Sequence, residues 1–192
     1  EGETSQWSRP DLGAILTSPE GVIHYDVIRS DAGLLIGTDR GAVMMTDTPR
    51  GWEPLPIDPP PAGSAYNAYY AIDAAGGTLV NQTDAGELVT LTLRDGAYRV
   101  TGTQPLPTGL VDIQLSPDGN LLVVGYRGQA GYRLYRAGEH GWSEVERLGG
   151  WPSSSAFNAD STLFACMTRD GKGFNLWQVD GDTPRLVSTS AS

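Results

Sequence analysis

Short apolar runs separated by glycine- and aspartate-bearing turns recur along this chain, and they recur in register. The clearest copy reads IQLSPDGNLLVVGYRGQAGYRLYR, from Ile113 to Arg136. A second, AFNADSTLFACMTRDGKGFNLWQV, covers Ala156–Val179, and a third, YAIDAAGGTLVNQTDAGELVTLTL, covers Tyr70–Leu93. A fourth, VIRSDAGLLIGTDRGAVMMTD, runs from Val27 to Asp47. The first turn of each copy places Gly33, Gly76, Gly119 and Ser161 at spacings of 43, 43 and 42 residues. A second marker, Thr46, Leu91, Tyr135 and Trp177, is spaced 45, 44 and 42. A repeat of about 40 to 45 residues is the period of a propeller blade built from four strands.

Within a copy the pattern changes from strand to strand. An apolar strand leads to a Gly or Asp turn, and a continuously apolar strand such as Leu121–Val124 follows. Next come a turn of the type Thr38-Asp39-Arg40-Gly41 or Arg169-Asp170-Gly171 and an alternating strand such as Tyr132-Arg133-Leu134-Tyr135. The last strand is short and polar and opens on Trp52, Tyr98 or Trp142. Strands that are apolar throughout fit a position covered on both faces; fading outer strands fit a solvated rim. The fold class read from this pattern is all-β: four propeller blades of four-stranded antiparallel sheet, at about 22–62, 63–108, 109–151 and 152–192. Residues 1–21 are left as a tail or closing strand, with Gly13–Thr17 as the strand. Short strands at regular spacing also suit a β-sandwich, but two independent markers in register favour the propeller. The pattern predicts that Leu35, Val80, Val123 and Ala165 are buried between neighbouring blades.

SPDGNLLVVG at Ser116–Gly125 and NLWQV at Asn175–Val179 resemble the WD-repeat family of propellers. The family's closing Trp-Asp pair stands here as Thr46-Asp47, Leu91-Thr92, Tyr135-Arg136 and Trp177-Gln178, and the Gly-His pair that opens a family blade is absent. The resemblance covers about 22–190, and the generic bacterial propeller of the SPDG kind fits equally well. It implies a platform for binding partners. It also implies a larger ring, of which four blades are a part. The ring closes on itself, is completed by a second copy, or is completed by a different chain. Completion by a protein partner or second copy is the expectation, since an open arc exposes part of Leu34-Leu35-Ile36 and of Leu163–Met167.

Charge narrows the partners. The formal net charge is -10 and the sequence pI about 4.5, so no nucleic acid is expected. Twelve arginines against the single Lys172 point to a high-GC bacterial source. No stretch approaches the roughly 18 apolar residues of a membrane helix, so no membrane insertion is expected. The chain starts at Glu1, as a processed or trimmed chain does, and the compartment stays open.

The catalytic patterns sought are missing. There is no G-x-S-x-G elbow, and only His24 and His140 could serve as imidazole bases. Neither Cys nor His has zinc spacing, and Asp180-Gly181-Asp182 is too short for a calcium loop. No cofactor is expected. Cys166, in an apolar run, reads as a buried thiol. Asn81-Gln82-Thr83 is a lone sequon. Pro54–Pro61 reads as a stiff interblade loop. Aromatics in or near loops, namely Tyr66, Tyr69, Tyr70, Tyr126, Trp142 and Trp151, are the candidate interaction residues. The expectation that follows is a non-catalytic interaction or assembly platform, not an enzyme. The alternative is the substrate-binding or sensor region of a larger enzyme or receptor, with glycans among its ligands.

Overall fold

The computed structural model describes residues 23–38, 41–59, 61–64, 66–129 and 131–191. The closing strand expected at Gly13–Thr17, the Asp39-Arg40 turn and the side chain of His24 lie outside the described residues. Sixteen strands and no helix are found among those described. The first sheet holds β1 (Ile23–Ser30), β2 (Gly33–Thr38), β3 (Gly41–Thr48) and β4 (Gly51–Leu55). The second holds β5 (Tyr66–Ile72), β6 (Thr78–Thr83), β7 (Glu87–Arg94) and β8 (Ala97–Pro105). The third holds β9 (Leu110–Leu115), β10 (Leu121–Tyr126), β11 (Tyr132–Gly138) and β12 (Gly141–Leu148). The fourth holds β13 (Trp151–Phe157), β14 (Leu163–Met167), β15 (Gly173–Gln178) and β16 (Arg185–Ala191). In each sheet the strands lie antiparallel and in chain order. These are four propeller blades.

The marker residues owe their regular spacing to a backbone requirement. Gly76, Gly119 and Ser161 all sit in the left-handed region, at φ of 73°, 73° and 62°. Glycine reaches it without steric cost; Ser161 adopts it as one of two described non-glycine residues. The polar residue opening each turn closes it from the side. Asp73 accepts hydrogen bonds from the Gly77 and Thr78 N–H groups (2.7 and 3.0 Å). Ser116 Oγ accepts from Leu121 N–H at 2.8 Å, and Asn158 Oδ1 accepts from Leu163 N–H at 2.8 Å. Otherwise orphaned backbone donors are thereby satisfied at the start of the second strand in blades two, three and four.

Blades stack in series. The first strands touch one another, β1 with β5, β5 with β9 and β9 with β13, so they form the inner wall. Leu35 and Met44 of blade one pack against Leu79, Val89 and Tyr98 of blade two. Val80 and Leu88 of blade two meet Ile113, Leu122 and Trp142 of blade three. Val123 and Leu134 of blade three meet Phe164 and Cys166 of blade four. Among the described residues, blade four makes no comparable contact with blade one, so the blades form an arc. Leu35, Val80 and Val123 are fully buried. Ala165 departs from the expectation and is only half-buried, because its side of β14 faces away from blade three and no described blade covers it.

The Pro-dense segment is more than a spacer. Ile57 bridges in parallel to Tyr98 on the outer strand of blade two. Tyr98 N–H donates to Pro56 O (2.8 Å), and Asp58 N–H donates to Tyr98 O (2.9 Å). Asp58 also pairs with Arg99 at 2.7 Å and accepts from Val100 N–H. The segment thus covers a stretch of sheet edge that would otherwise present unpaired donors and acceptors. The hydrogen bond from Arg99, then that from Val100, holds the Asp58 carboxyl below its ordinary value. A depressed carboxyl pKa gives a contribution that is present above the unfolded value and is lost as pH falls through the folded one. The protection factors of the Tyr98 and Asp58 amides are therefore expected to fall as pH drops below about 4. Asp58→Asn should lower them already at neutral pH; equal protection in both proteins across that range would refute the role of the carboxylate.

Candidate functional site

Three seams join the four blades, and along the inner wall they differ in chemistry. At the first, Gly37 leaves room for the Tyr70 ring, which a Cβ there would strike. At the second, Tyr69 packs against the apolar cluster that holds Ile113. At the third the contact is polar. Asp112 of β9 accepts hydrogen bonds through Oδ2 from Tyr132 Oη (2.7 Å) and from Ser155 Oγ of β13 (2.7 Å). Its Oδ1 accepts from Gln114 Nε2 at 3.3 Å. Register explains the grouping: Asp112 pairs with Gly125, Gly125 pairs with Tyr132, and alternation puts Gln114 on the face of Asp112.

Asp112, Gln114 and Ser155 are each half-buried, whereas Tyr132 is 1% exposed. Burial, reinforced by the Asp112 charge, pushes the Tyr132 phenol far above its ordinary value, so it stays a neutral donor. One carboxylate oxygen is thus fixed by two hydroxyls. The other carries a single long hydrogen bond and keeps accepting capacity. Beside this group stands Trp151, the first residue of β13, whose carbonyl lies 3.5 Å from Tyr132 Oη. Its side chain is 47% exposed, followed by exposed Ser153 and Ser154. Trp151 reaches this group only through its carbonyl, because its register partner is Met167 and it is Pro152 that points at Gly125 of blade three, so the indole lies on the other face of blade four. An oriented carboxylate, an amide and hydroxyls form a seam suited to a ligand with many hydroxyl groups.

The other candidate residues take different places. Tyr66, at the start of β5, is half-buried and donates to Asp58 O at 3.1 Å. Burial, then the Asp58 charge, pushes its phenol up to about 12. Tyr69 is half-buried and Tyr70 buried in the interblade cores. Tyr126 is 1% exposed, with the Arg133 guanidinium 5.3 Å from its ring centre. Trp142 is 9% exposed and bolted to blade two. Tyr126 and Trp142 therefore pack blades together and present no contact surface, a correction to their reading as loop aromatics. Trp151 is 47% exposed, on the face of blade four that carries its register partner Met167.

Asp112, Gln114, Tyr132 and Ser155 were not singled out from the sequence. A signal was present: two polar residues alternate with Ile113 and Leu115 in an inner strand. Other readings also meet the structure. Cys166 is fully buried, and burial pushes its thiol up to about 11. Asn81 is 1% exposed inside β6, so the sequon is closed to glycosylation in the folded chain. His140 lies exposed in the tip between β11 and β12. Among the described residues no group of three or more His, Cys, Asp or Glu is placed to hold a metal, and no helix is long and apolar enough to cross a membrane.

No protein-family model matches the chain, and no curated protein matches it in sequence. Solved structures do resemble it. The periplasmic gluconolactonase PpgL of Pseudomonas aeruginosa is 18% identical with a TM-score of 0.58, over 88% of this chain and 53% of that one. A candidate 6-phosphogluconolactonase of Bacteroides fragilis is 17% identical with a TM-score of 0.59, over 87% and 54%. The β-propeller domain of Cps50 (Swd1) from Myceliophteria thermophila is 15% identical with a TM-score of 0.59, over 84% and 56%. The chain spans little more than half the length of each. At these identities the likeness shows the fold: a β-propeller, loosely of the WD-repeat kind. It also overturns the expectation of a non-catalytic platform that is no enzyme. Enzymes named as lactonases share this architecture, so missing hydrolase motifs do not argue against catalysis on it.

Proposed function

We propose that this chain is the substrate-binding section of a larger propeller enzyme or receptor, and that it takes a hydroxyl-rich, sugar-derived ligand on the inner wall of blades three and four. The observation that carries the reading is the polar third seam, with an Asp112 oxygen still free to accept. Asp112 accepts a ligand hydroxyl through Oδ1. Gln114 adds an amide on the same face of β9. Tyr132 and Ser155 are positioning residues that hold Asp112. The lactonase names among the structural neighbours support a sugar acid or lactone as the class. The blades themselves belong to the generic SPDG kind, since none of the four copies keeps the Trp-Asp pair.

The test is titration of the 192-residue chain with gluconate and with gluconolactam, a lactone mimic that does not hydrolyse, followed by calorimetry and tryptophan fluorescence. A saturable signal is expected. Gln114→Ala, at a half-buried position, should weaken it at least tenfold, or about 1.4 kcal/mol, with an unchanged melt. Asp112→Asn should weaken it too, because an amide turns a donor toward ligand hydroxyls. No heat and no fluorescence change with either compound, together with a flat glycan array, would remove the reading.

A further inference from the structure

The outer face of blade four repeats, residue for residue, a face that blade three buries. In blade three, Val123 pairs with Leu134, Gly125 with Tyr132, and Leu121 with Arg136. In blade four, Ala165 pairs with Leu176, Met167 with Phe174, and Leu163 with Gln178. Leu121, Val123, Tyr132 and Leu134 are at most 3% exposed, because blade four covers them. Their counterparts Leu163, Ala165 and Leu176 are half-open and Phe174 is 55% exposed; Met167, at the position of Gly125, is half-open too. Alternation confirms the sidedness: Phe164 and Cys166, between them on β14, point back to blade three and are fully buried. Five apolar side chains on one face of β14–β15 form a patch of the kind that marks an interface.

We propose that this face docks a further propeller blade from outside residues 1–192. Three interblade seams here join the same face of one blade to the opposite face of the next, and this would be the fourth of that series. The solved propellers that match the chain extend well beyond the matched part, which covers 53% to 56% of them. A second copy fits poorly as occupant. Its blade one would have to offer the face of Ile36 and Met45, and those residues are already 0% and 6% exposed, which leaves Val27, at 51%, as the one strongly exposed apolar side chain described there. The incoming blade has a stated shape as well. Next to Gly125 the inner strand of the following blade presses Pro152 into the space a Cβ would take. Blade four fills that position with Met167, so its partner brings a small residue there.

This inference shares with the ligand reading only the existence of further blades, and its test fails independently of the titration. The experiment places a photoreactive benzoylphenylalanine at position 174 of the chain, made in its source cells in its natural polypeptide context, and sequences the cross-linked peptide. The expected product is a peptide from outside residues 1–192 with the apolar-strand, turn, apolar-strand pattern of a blade. Cross-links to residues 27–48 of another copy would mean a head-to-tail ring of copies and overturn the proposal. So would cross-links to residues 163–178 of another copy, to a peptide without that pattern, or to nothing. In parallel, Met167→Ser with Leu176→Ser should abolish both the cross-link from position 174 and binding of an apolar dye by the isolated chain. Its melting midpoint should stay within a few degrees, because these side chains lack a covering blade. A wild-type chain that binds no dye would also overturn the proposal.

Discussion

Replacing Trp142 by alanine is expected to remove about 3 to 5 kcal/mol of stability, the range for truncating a large buried aromatic. Trp142 follows Gly141 at the start of β12, and its indole crosses from blade three into blade two. Nε1–H donates to Thr90 Oγ1 at 2.9 Å. Gln104 clamps the same residue's backbone: Oε1 accepts from Trp142 N–H at 2.9 Å, and Nε2 donates to Trp142 O at 3.2 Å. Around the ring lie Val80, Leu88, Leu122 and Val124 in one cluster. The substitution leaves a cavity at the middle seam and an unmatched threonine hydroxyl. A loss of that size is a large share of the total for a domain, so the variant could fail to fold. Trp142→Phe supplies the graded measurement. It keeps most of the packing and loses the indole donor, a loss of about 1 to 2 kcal/mol. Adding Thr90→Val should recover part of that, since the half-buried hydroxyl left without a donor is then gone. Denaturant midpoints for the four proteins decide it; a Trp142→Phe midpoint equal to wild type would show that the hydrogen bond contributes nothing.

The same residue shows where sequence reading stopped. Its position as the opener of a fourth strand was legible from the Gly-Trp pair after the third. Its direction was not, because an edge residue near a hairpin tip can face solvent or the neighbouring blade, and only the neighbour decides. The turn register was legible because it rests on backbone geometry: positive φ at Gly76 and Gly119 leaves a glycine signature. Ser161 broke the signature but kept the spacing and the conformation. Burial of Leu35, Val80 and Val123 followed from continuous apolar strands. Ala165 looked the same in sequence and differs only because blade four has a neighbour on one side. The polar seam was hardest to see. Asp112 and Ser155 are 43 residues apart, one repeat, and become neighbours only when consecutive inner strands lie side by side. The Pro-dense strap was hidden for the same reason, since Asp58 meets Arg99 and Val100 across the linker.

Asn81→Val is expected to raise stability by about 1 to 3 kcal/mol, the opposite sign from most core substitutions. Asn81 sits in β6 between Tyr70 and Val89, is 1% exposed, and faces the seam with blade one. Among the described residues neither its Nδ2 nor its Oδ1 finds a hydrogen-bond partner. The corresponding positions in the other three blades carry Ile36, Val124 and Cys166, all buried and all weakly polar or apolar. A buried amide without partners costs about 1 to 3 kcal/mol relative to a group that needs none. Valine has the β-branched shape that suits a strand covered on both faces. It is slightly larger than asparagine, and any overpacking at the seam would subtract from the gain. Asn81→Asp reads the same site with the opposite sign, because a carboxylate there would have to protonate or remain charged without a partner. Its midpoint should fall, and should recover partly as pH drops toward the carboxylate range. The order Val above wild type above Asp, at neutral pH, is the expected result. A valine variant less stable than wild type would mean that the amide is hydrogen-bonded in solution, and that its burial at the first seam serves a ligand or partner instead of packing.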